Sequence, residues 1–499
     1  MSELRRSGLM IAAFGMIFQQ VISFSSGLII ARVLGAAEYG VFTLARNVQQ
    51  AVCLFSRLGL DVGLQRFMGE VGAATLDQSR RLGMIGKFRT AALAASLLPI
   101  LLLVLGLGNW VERSFYRYEG FSAVLLLTFL AIPFLSDLAV LGGVYRGTKN
   151  PAPAVIAEFI VMPSVRLATI VLLFAGGFRL WGVVVGTSLA SLIAWAYLTW
   201  KFKAYQRTFA KSFNSAGEAY AQVRRTLGYS IVIACAMSVT LMTRSVDTFF
   251  LGYFASAHDV GQYALVQMML ILVGLFGAAL GQSLGAQIAE KFGANDSAGI
   301  ELLLERNVRL IALVSCPLFA VFCFWGSDLV LIFGPTYQIS SAVVRWLAAS
   351  SLLLTLMACA GFALSMTGKH ALELKILLLG LVVSVCLCAY LIPVWGQLGA
   401  AFAVFVSLSI VNLLRLYAVW RVLRVFHLRW AHLRILGVAV LLALPLSLTA
   451  GGEGISRILR ACGGTCAYLV LYASLTWMLL EQKDRDRLKL FFMQRLKKV

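Results

Sequence analysis

The sequence predicts an all-α polytopic membrane protein, and three observations carry that prediction. Hydrophobic residues make up 60% of the 499-residue chain against 13% charged, mean hydropathy is +0.86, and apolar runs of about twenty residues recur nearly from end to end. A soluble domain has no use for so much unbroken apolar sequence. A spanning helix does, because it crosses about 30 Å of hydrocarbon at roughly 1.5 Å per residue and satisfies its backbone polar groups internally.

Windows of that length give about fourteen spans. The first six are expected at 9–30, 40–62, 89–108, 121–143, 154–175 and 180–200; the next six at 226–250, 262–287, 308–333, 343–366, 372–393 and 398–420; the last two at 432–450 and 459–480. The opening run from Leu9 to Ile30 is too long for a signal-peptide core and lacks a small-residue cleavage pattern, so it reads as a retained helix. The second span is the most polar.

Orientation follows from Lys and Arg on alternate sides, because the loops are short enough for the positive-inside rule. With the amino terminus inside, cytoplasmic segments hold 31 of the 43 basic residues and outside loops hold 7: Arg32, Arg113, Arg117, Arg179, Arg345, Arg457 and Arg460. Both termini are therefore expected in the cytoplasm, which requires an even number of spans. The same distribution accounts for the net charge of +21 without nucleic acid, since the excess lies along one membrane face. Anionic membrane lipid is the expected partner. In the tail, 483–499, Leu488, Phe491, Phe492, Leu496 and Val499 recur at helical spacing among Lys489, Arg495, Lys497 and Lys498. That pattern fits an interfacial helix or a docking site for another protein.

The nine cysteines fall within or at the edges of apolar spans, and the four histidines show no ligand spacing, so neither a disulfide framework nor a metal site is implied. The longest internal polar segment, 201–225, reads as a linker between a first half (1–200) and a second (226–425), followed by a last pair of helices in 426–482. Glu38-Tyr39-Gly40-Val41-Phe42-Thr43-Leu44 and Asp259-Val260-Gly261-Gln262-Tyr263-Ala264-Leu265 share an acid, a Gly, an aromatic residue and a Leu, at an offset of 221 residues. Six spans precede the linker, so such copies would be parallel repeats related by a pseudo-two-fold axis along the membrane normal. Pro99, Pro133, Pro163, Pro317, Pro393 and Pro445 lie in or at the ends of spans and mark kinks. Gly182 with Gly186, and Gly277, Gly281 and Gly285, permit close helix approach, as tight packing or as a sliding interface.

Five arginines, Arg46, Arg57, Arg166, Arg244 and Arg415, sit inside apolar spans. A guanidinium does not deprotonate, so within lipid it needs a carboxylate, a water-filled cavity or an anionic cargo. On a helical wheel Arg46, Gln50, Cys53, Arg57 and Asp61 share one face, with Asn47 and Gln49 beside it, which makes a polar stripe down the second span. Arg57 and Asp61, four apart, form a candidate ion pair. Arg46 has no such neighbour and is assigned to a cavity. In the seventh span Thr240, Thr243, Arg244 and Asp247 share a face, and Arg244 with Asp247 is a second candidate pair. Arg166 is the deepest of the five, with Glu158 two turns nearer the cytoplasm. Arg415, with Asn412, lies closer to the inside edge. Asp137 is the remaining deep carboxylate, either a salt-bridge partner for Arg166 or a protonatable coupling site. The expected substrate-contacting set is Arg46, Asn47, Gln50, Arg166, Arg244 and Arg415, and the coupling or salt-bridge set is Asp137, Glu158, Asp247, Arg57 and Asp61.

No phosphate-binding loop, His-Glu-x-x-His, Gly-x-Ser-x-Gly or soluble nucleotide-binding domain is present. No cofactor and no enzymatic activity are expected, and energy would come from an H+ or Na+ gradient, the membrane potential or consumption of cargo. The stretch Ser26-Gly27-Leu28-Ile29-Ile30-Ala31-Arg32-Val33-Leu34-Gly35-Ala36-Ala37-Glu38-Tyr39-Gly40 resembles the amino-terminal signature of bacterial polysaccharide transporters. These are the lipid-linked oligosaccharide flippases of the multidrug/oligosaccharidyl-lipid/polysaccharide (MOP) superfamily. Asp247-Thr248-Phe249-Phe250-Leu251-Gly252, followed by Gly261-Gln262-Tyr263, is similar to the segment opening that family's second lobe. The resemblance implies two six-helix lobes around a central cavity and two added carboxyl-terminal helices. It also implies alternating access that moves an undecaprenyl-linked glycan to the periplasmic leaflet, together with cationic lining residues that Arg46, Arg166 and Arg244 match by location. Polysaccharide-assembly proteins are further expected partners. The competing readings are a cation-coupled multidrug exporter, a peptidoglycan-precursor flippase and a membrane glycan polymerase or ligase; the intramembrane arginines disfavour cationic cargo, and the short outside loops disfavour a polymerase.

Overall fold

The computed structural model describes residues 2–57, 59–71, 78–116, 118–148, 150–207, 238–426, 429–447 and 455–479. Residues 208–237, which include most of the expected linker and the start of the seventh span, lie outside this set, as does the tail from 480 onward. The described chain is helical, without strands. Eleven helical segments within it are long and apolar enough to cross a bilayer, and His432–Leu446 is a shorter apolar helix.

In the first compact unit, Met1–Met268 with Cys388–Gln397, α1 (Ser2–Ser56) is broken at Gly35. The φ of 72° and ψ of 175° there suit a residue without a Cβ. The expected first and second spans are the two sides of this break. The second side stops at Ser56, because Gly59, at φ 67°, turns the chain into α2 (Leu60–Val71). The polar stripe therefore does not run as one helix to Asp61. Next come α3 (Gln78–Leu102), a π-helical turn at Leu103–Leu107, α4 (Gly108–Ser114), α5 (Phe121–Phe129), α6 (Ile132–Gly147) and α7 (Ala152–Val155). A second π-helical segment, Ile156–Val161, leads into α8 (Met162–Ala175), which is followed by α9 (Leu180–Arg207) and α10, described over 238–254. Pro163, which lacks an N–H and crowds the carbonyl four residues back, sits just past that π segment and accounts for the widened turn. The third apolar segment begins at Leu82, earlier than expected, and so takes Arg89 into the bundle.

Packing in this unit is set by glycine. α2 lies backbone-to-backbone on α6: a Cβ at Gly143 would collide with the carbonyl oxygen of Asp61, and one at Gly147 would lie 2.5 Å from that of Gln65. Gly182 and Gly186 let α9 meet α8, at Leu173 and Ile170. Around these crossings Leu60, Leu64, Phe88, Leu141, Leu198 and Phe202 are buried together. Gly143→Val is expected to lose about 1–3 kcal/mol, the usual cost of forcing volume into a closed contact, read as a lower unfolding midpoint of the purified protein.

The second unit, Met269–Leu387 with Leu398–Val499, is built around α12 (Ser297–Leu329). This helix packs on α13 (Ser341–Met366), α16 (Trp430–Ser447) and α17 (Ile455–Leu479). α11 (Ala257–Gly293), α14 (His370–Trp395) and α15 (Gln397–Leu423) complete the chain. Gly277 meets Thr355 and Gly285 meets Met366, again as close packing. The last helix is fixed to α12 by Arg457, whose Nε donates to Asp328 Oδ1 at 2.8 Å, and by Tyr468 against Trp325. Leu105, Leu172, Tyr390 and Val470 are each more than two-thirds exposed. Such side chains suit lipid rather than water.

Candidate functional site

Within the first unit two intramembrane guanidiniums, Arg46 and Arg166, stand without a carboxylate partner among the described residues. Arg166, on α8, donates from one terminal nitrogen to Ser23 Oγ (3.0 Å) and Ser26 Oγ (3.2 Å) of α1. Ser26 is itself tied back to the Ser23 carbonyl at 3.0 Å. The Nε of Arg166 is buried with no acceptor. Arg46, on the other side of the Gly35 break, is close enough for its charge to act on Arg166. Among the described residues no carboxylate forms an ion pair with either arginine. Two like charges held half-buried in a spanning bundle favour an anion between them and disfavour any cation. Asn47 is half-buried and Gln50 exposed along the same stretch of α1, whereas Gln49 is committed to the carbonyl of Thr128.

The other expected site residues are placed differently. Asp137 does not reach Arg166. It is fully buried and accepts both Nε (2.8 Å) and a terminal nitrogen (2.6 Å) of Arg89, plus the indole N–H of Trp195 (2.7 Å). Glu158, in the π segment, pairs with Arg146 at 3.0 Å. Arg57 and Asp61 approach to 3.5 Å across the Gly59 turn, with Arg57 Nε and Asp61 Oδ1 buried and unsatisfied. The Arg244–Asp247 pair does not form. Arg244 is exposed, while Asp247 turns inward to accept from Tyr263 Oη (2.7 Å), Gln267 Nε2 (2.8 Å) and the Thr248 amide (2.8 Å). Three residues of helical spacing bring two side chains near one another, but burial of one and exposure of the other separates them. Arg415, expected among the substrate cations, is neutralised in the second unit by Glu373, with its Nε donating at 3.0 Å. Its charge is therefore already committed.

Sequence reasoning missed Ser23 and Ser26, whose i,i+3 spacing in an apolar run was the available signal; Arg89 and Arg146, both counted with cytoplasmic segments; and Glu373, which it did not single out.

The chain matches the family described as polysaccharide biosynthesis protein over residues 6–284, more than half its length, and the MatE family over residues 231–391. A Haloferax volcanii protein named probable low-salt glycan biosynthesis flippase Agl15 is 23% identical over 386 residues, covering 76% of each chain. A second from that organism, named probable flippase AglR, is 22% identical over 396 residues, covering 77% of each. Among solved structures, the lipid II flippase MurJ in an inward closed conformation superposes with a TM-score of 0.73 at 13% identity, over 94% of this chain and 99% of that one. An inward-facing multidrug resistance transporter of the MATE family gives 0.63 at 12% identity, over 84% and 95%. At these identities the structures establish the fold alone. The family match over more than half of the chain shows that it belongs to the polysaccharide biosynthesis protein family.

Proposed function

We propose that this protein is a flippase that moves an undecaprenyl-linked oligosaccharide from the cytoplasmic to the periplasmic leaflet by alternating access. Arg46 and Arg166 hold the diphosphate of the carrier while the prenyl tail stays in lipid. The observation that carries this reading is a pair of membrane-buried guanidiniums with no carboxylate partner among the described residues, one of them oriented by two serine hydroxyls. A planar guanidinium suits phosphate oxygens because its N–H groups form a rigid fork. The names of the Haloferax relatives point the same way. Both termini lie in the cytoplasm on this reading, supported by 31 basic residues on that side against 7 outside.

The test is direct. Purified protein is placed in vesicles containing a fluorescent polyprenyl-diphosphate oligosaccharide, and appearance of the label in the opposite leaflet is followed. Translocation faster than in protein-free vesicles, and slower for a carrier whose phosphates are esterified to neutrality, is the expected result. No acceleration, or equal acceleration of the neutral carrier, overturns the proposal.

A further inference from the structure

One end of the first unit, where the loops expected outside the membrane gather, carries contacts that the anion site does not use. The segments around Gly40 and Gly261 cross there with no side chain between them. A Cβ on Gly40 would strike the Ala257 carbonyl oxygen and lie 2.8 Å from the Gly261 nitrogen; a Cβ on Gly261 would strike the Ala36 carbonyl oxygen and lie 3.0 Å from the Gly40 nitrogen. Each contact is the other shifted by 221 residues, the offset that relates the two similar segments. A self-reciprocal contact of this kind requires a local two-fold relation between the two helices. The acidic residues flanking the crossing keep the 221 offset while their partners do not: Arg179 Nε lies 3.7 Å from Glu38, and Gln397 Nε2 donates to Asp259 Oδ1 at 2.9 Å.

Tyr118, in the loop between α4 and α5, reaches the chain just before this crossing. Its hydroxyl lies within hydrogen-bonding distance of two carbonyl oxygens at the end of α10, Gly252 O (3.1 Å) and Ala255 O (3.0 Å). Carbonyls at a helix end have no amide partner in the helix, so this hydroxyl, with its one proton, donates to one of these two oxygens at a time. Burial, then the charge of Asp259, pushes the hydroxyl up to about 12, so it keeps its proton and remains a donor at physiological pH. Gly252 in turn lies over Leu44, four residues from Gly40, and against Tyr116.

We propose that Tyr118 is a latch: by bonding the end of α10 it holds shut the backbone crossing at Gly40 and Gly261, and its release accompanies opening of that end. The physiological meaning, an outer closure of the transport path, rests on the flippase reading and on the expected orientation; the latch itself does not.

The test uses the purified full-length chain without native cysteines and with Leu44→Cys, a fully buried position under the α10 end. A water-soluble maleimide then reacts only through opening, at a rate proportional to the open fraction. Tyr118→Phe, which removes one oxygen, is expected to raise that rate about 2- to 10-fold, the range of one net hydrogen bond. Tyr116→Phe, at a neighbouring ring, is expected to leave it unchanged. An unchanged rate in Tyr118→Phe, or an equal rise in both variants, overturns the latch. Because no substrate is present, a shifted rate alongside failed translocation sinks the flippase reading alone, and an unshifted rate alongside normal translocation sinks the latch alone.

Discussion

Arg166→Ala is expected to lower glycan export about 10- to 100-fold while the protein still inserts and folds. The reasoning is electrostatic. A charge-assisted hydrogen bond contributes about 1.5–3 kcal/mol, and about 1.4 kcal/mol is one order of magnitude. Arg166 faces no carboxylate among the described residues, so its removal strands no partner charge there and stability is expected to change little. Arg166→Lys is expected to be an incomplete replacement, because an ammonium lacks the planar fork that bonds two serines and still presents Nε. Replacing Ser23 and Ser26 together by Ala is expected to give an intermediate loss, by freeing the guanidinium to swing. Surface glycan is compared at matched membrane levels of each variant. Normal export by Arg166→Ala would remove the central cation from the proposed function. Arg415→Ala is the informative contrast: Glu373 would be left buried and unpaired, so the loss is expected in stability first.

Asp137→Ala is expected to destabilise the protein by about 3–5 kcal/mol, the cost of breaking a buried ion pair by removing one partner. The carboxylate joins three helices, α3 through Arg89, α6 on which it sits, and α9 through Trp195. Arg89 also lies 5.5 Å over the Phe202 ring, which leaves the guanidinium little room to escape to water. Trp195→Phe removes one hydrogen bond to a charged group and is expected to cost about 1.5–3 kcal/mol. Replacing Arg89 and Asp137 together by Leu is expected to cost less than Asp137→Ala alone, because no charge is stranded. Thermal unfolding of the purified variants in detergent orders them. A double variant no better than the single one would show that the pair acts through packing instead.

Helical class, the approximate run of spans and the family were legible in the sequence because a bilayer imposes its demands on each segment separately: enough apolar residues in a row, and backbone groups satisfied within the helix. The similarity between residues 38–44 and 259–265 was legible as well, since it rests on residue identities alone. Pairings were not. Nothing in the spacing of Asp137 shows that Arg89 reaches it, or that Glu158 belongs to Arg146 and Arg415 to Glu373.

The sequence by itself determined that charges had been placed in the membrane, although not all of them, since Arg89 joined the bundle only in the structure. Which of them stay without a carboxylate was decided only by the tertiary structure. Glycine contacts such as Gly143 on α2 and Gly186 on α8 fix which helix faces meet, and each buried carboxylate takes the donors those faces bring to it, a cation for Asp137 and neutral groups for Asp247. Arg166 stands out because Asp137, the carboxylate offered as its partner, is bound to Arg89, a property of neighbours distant in the chain.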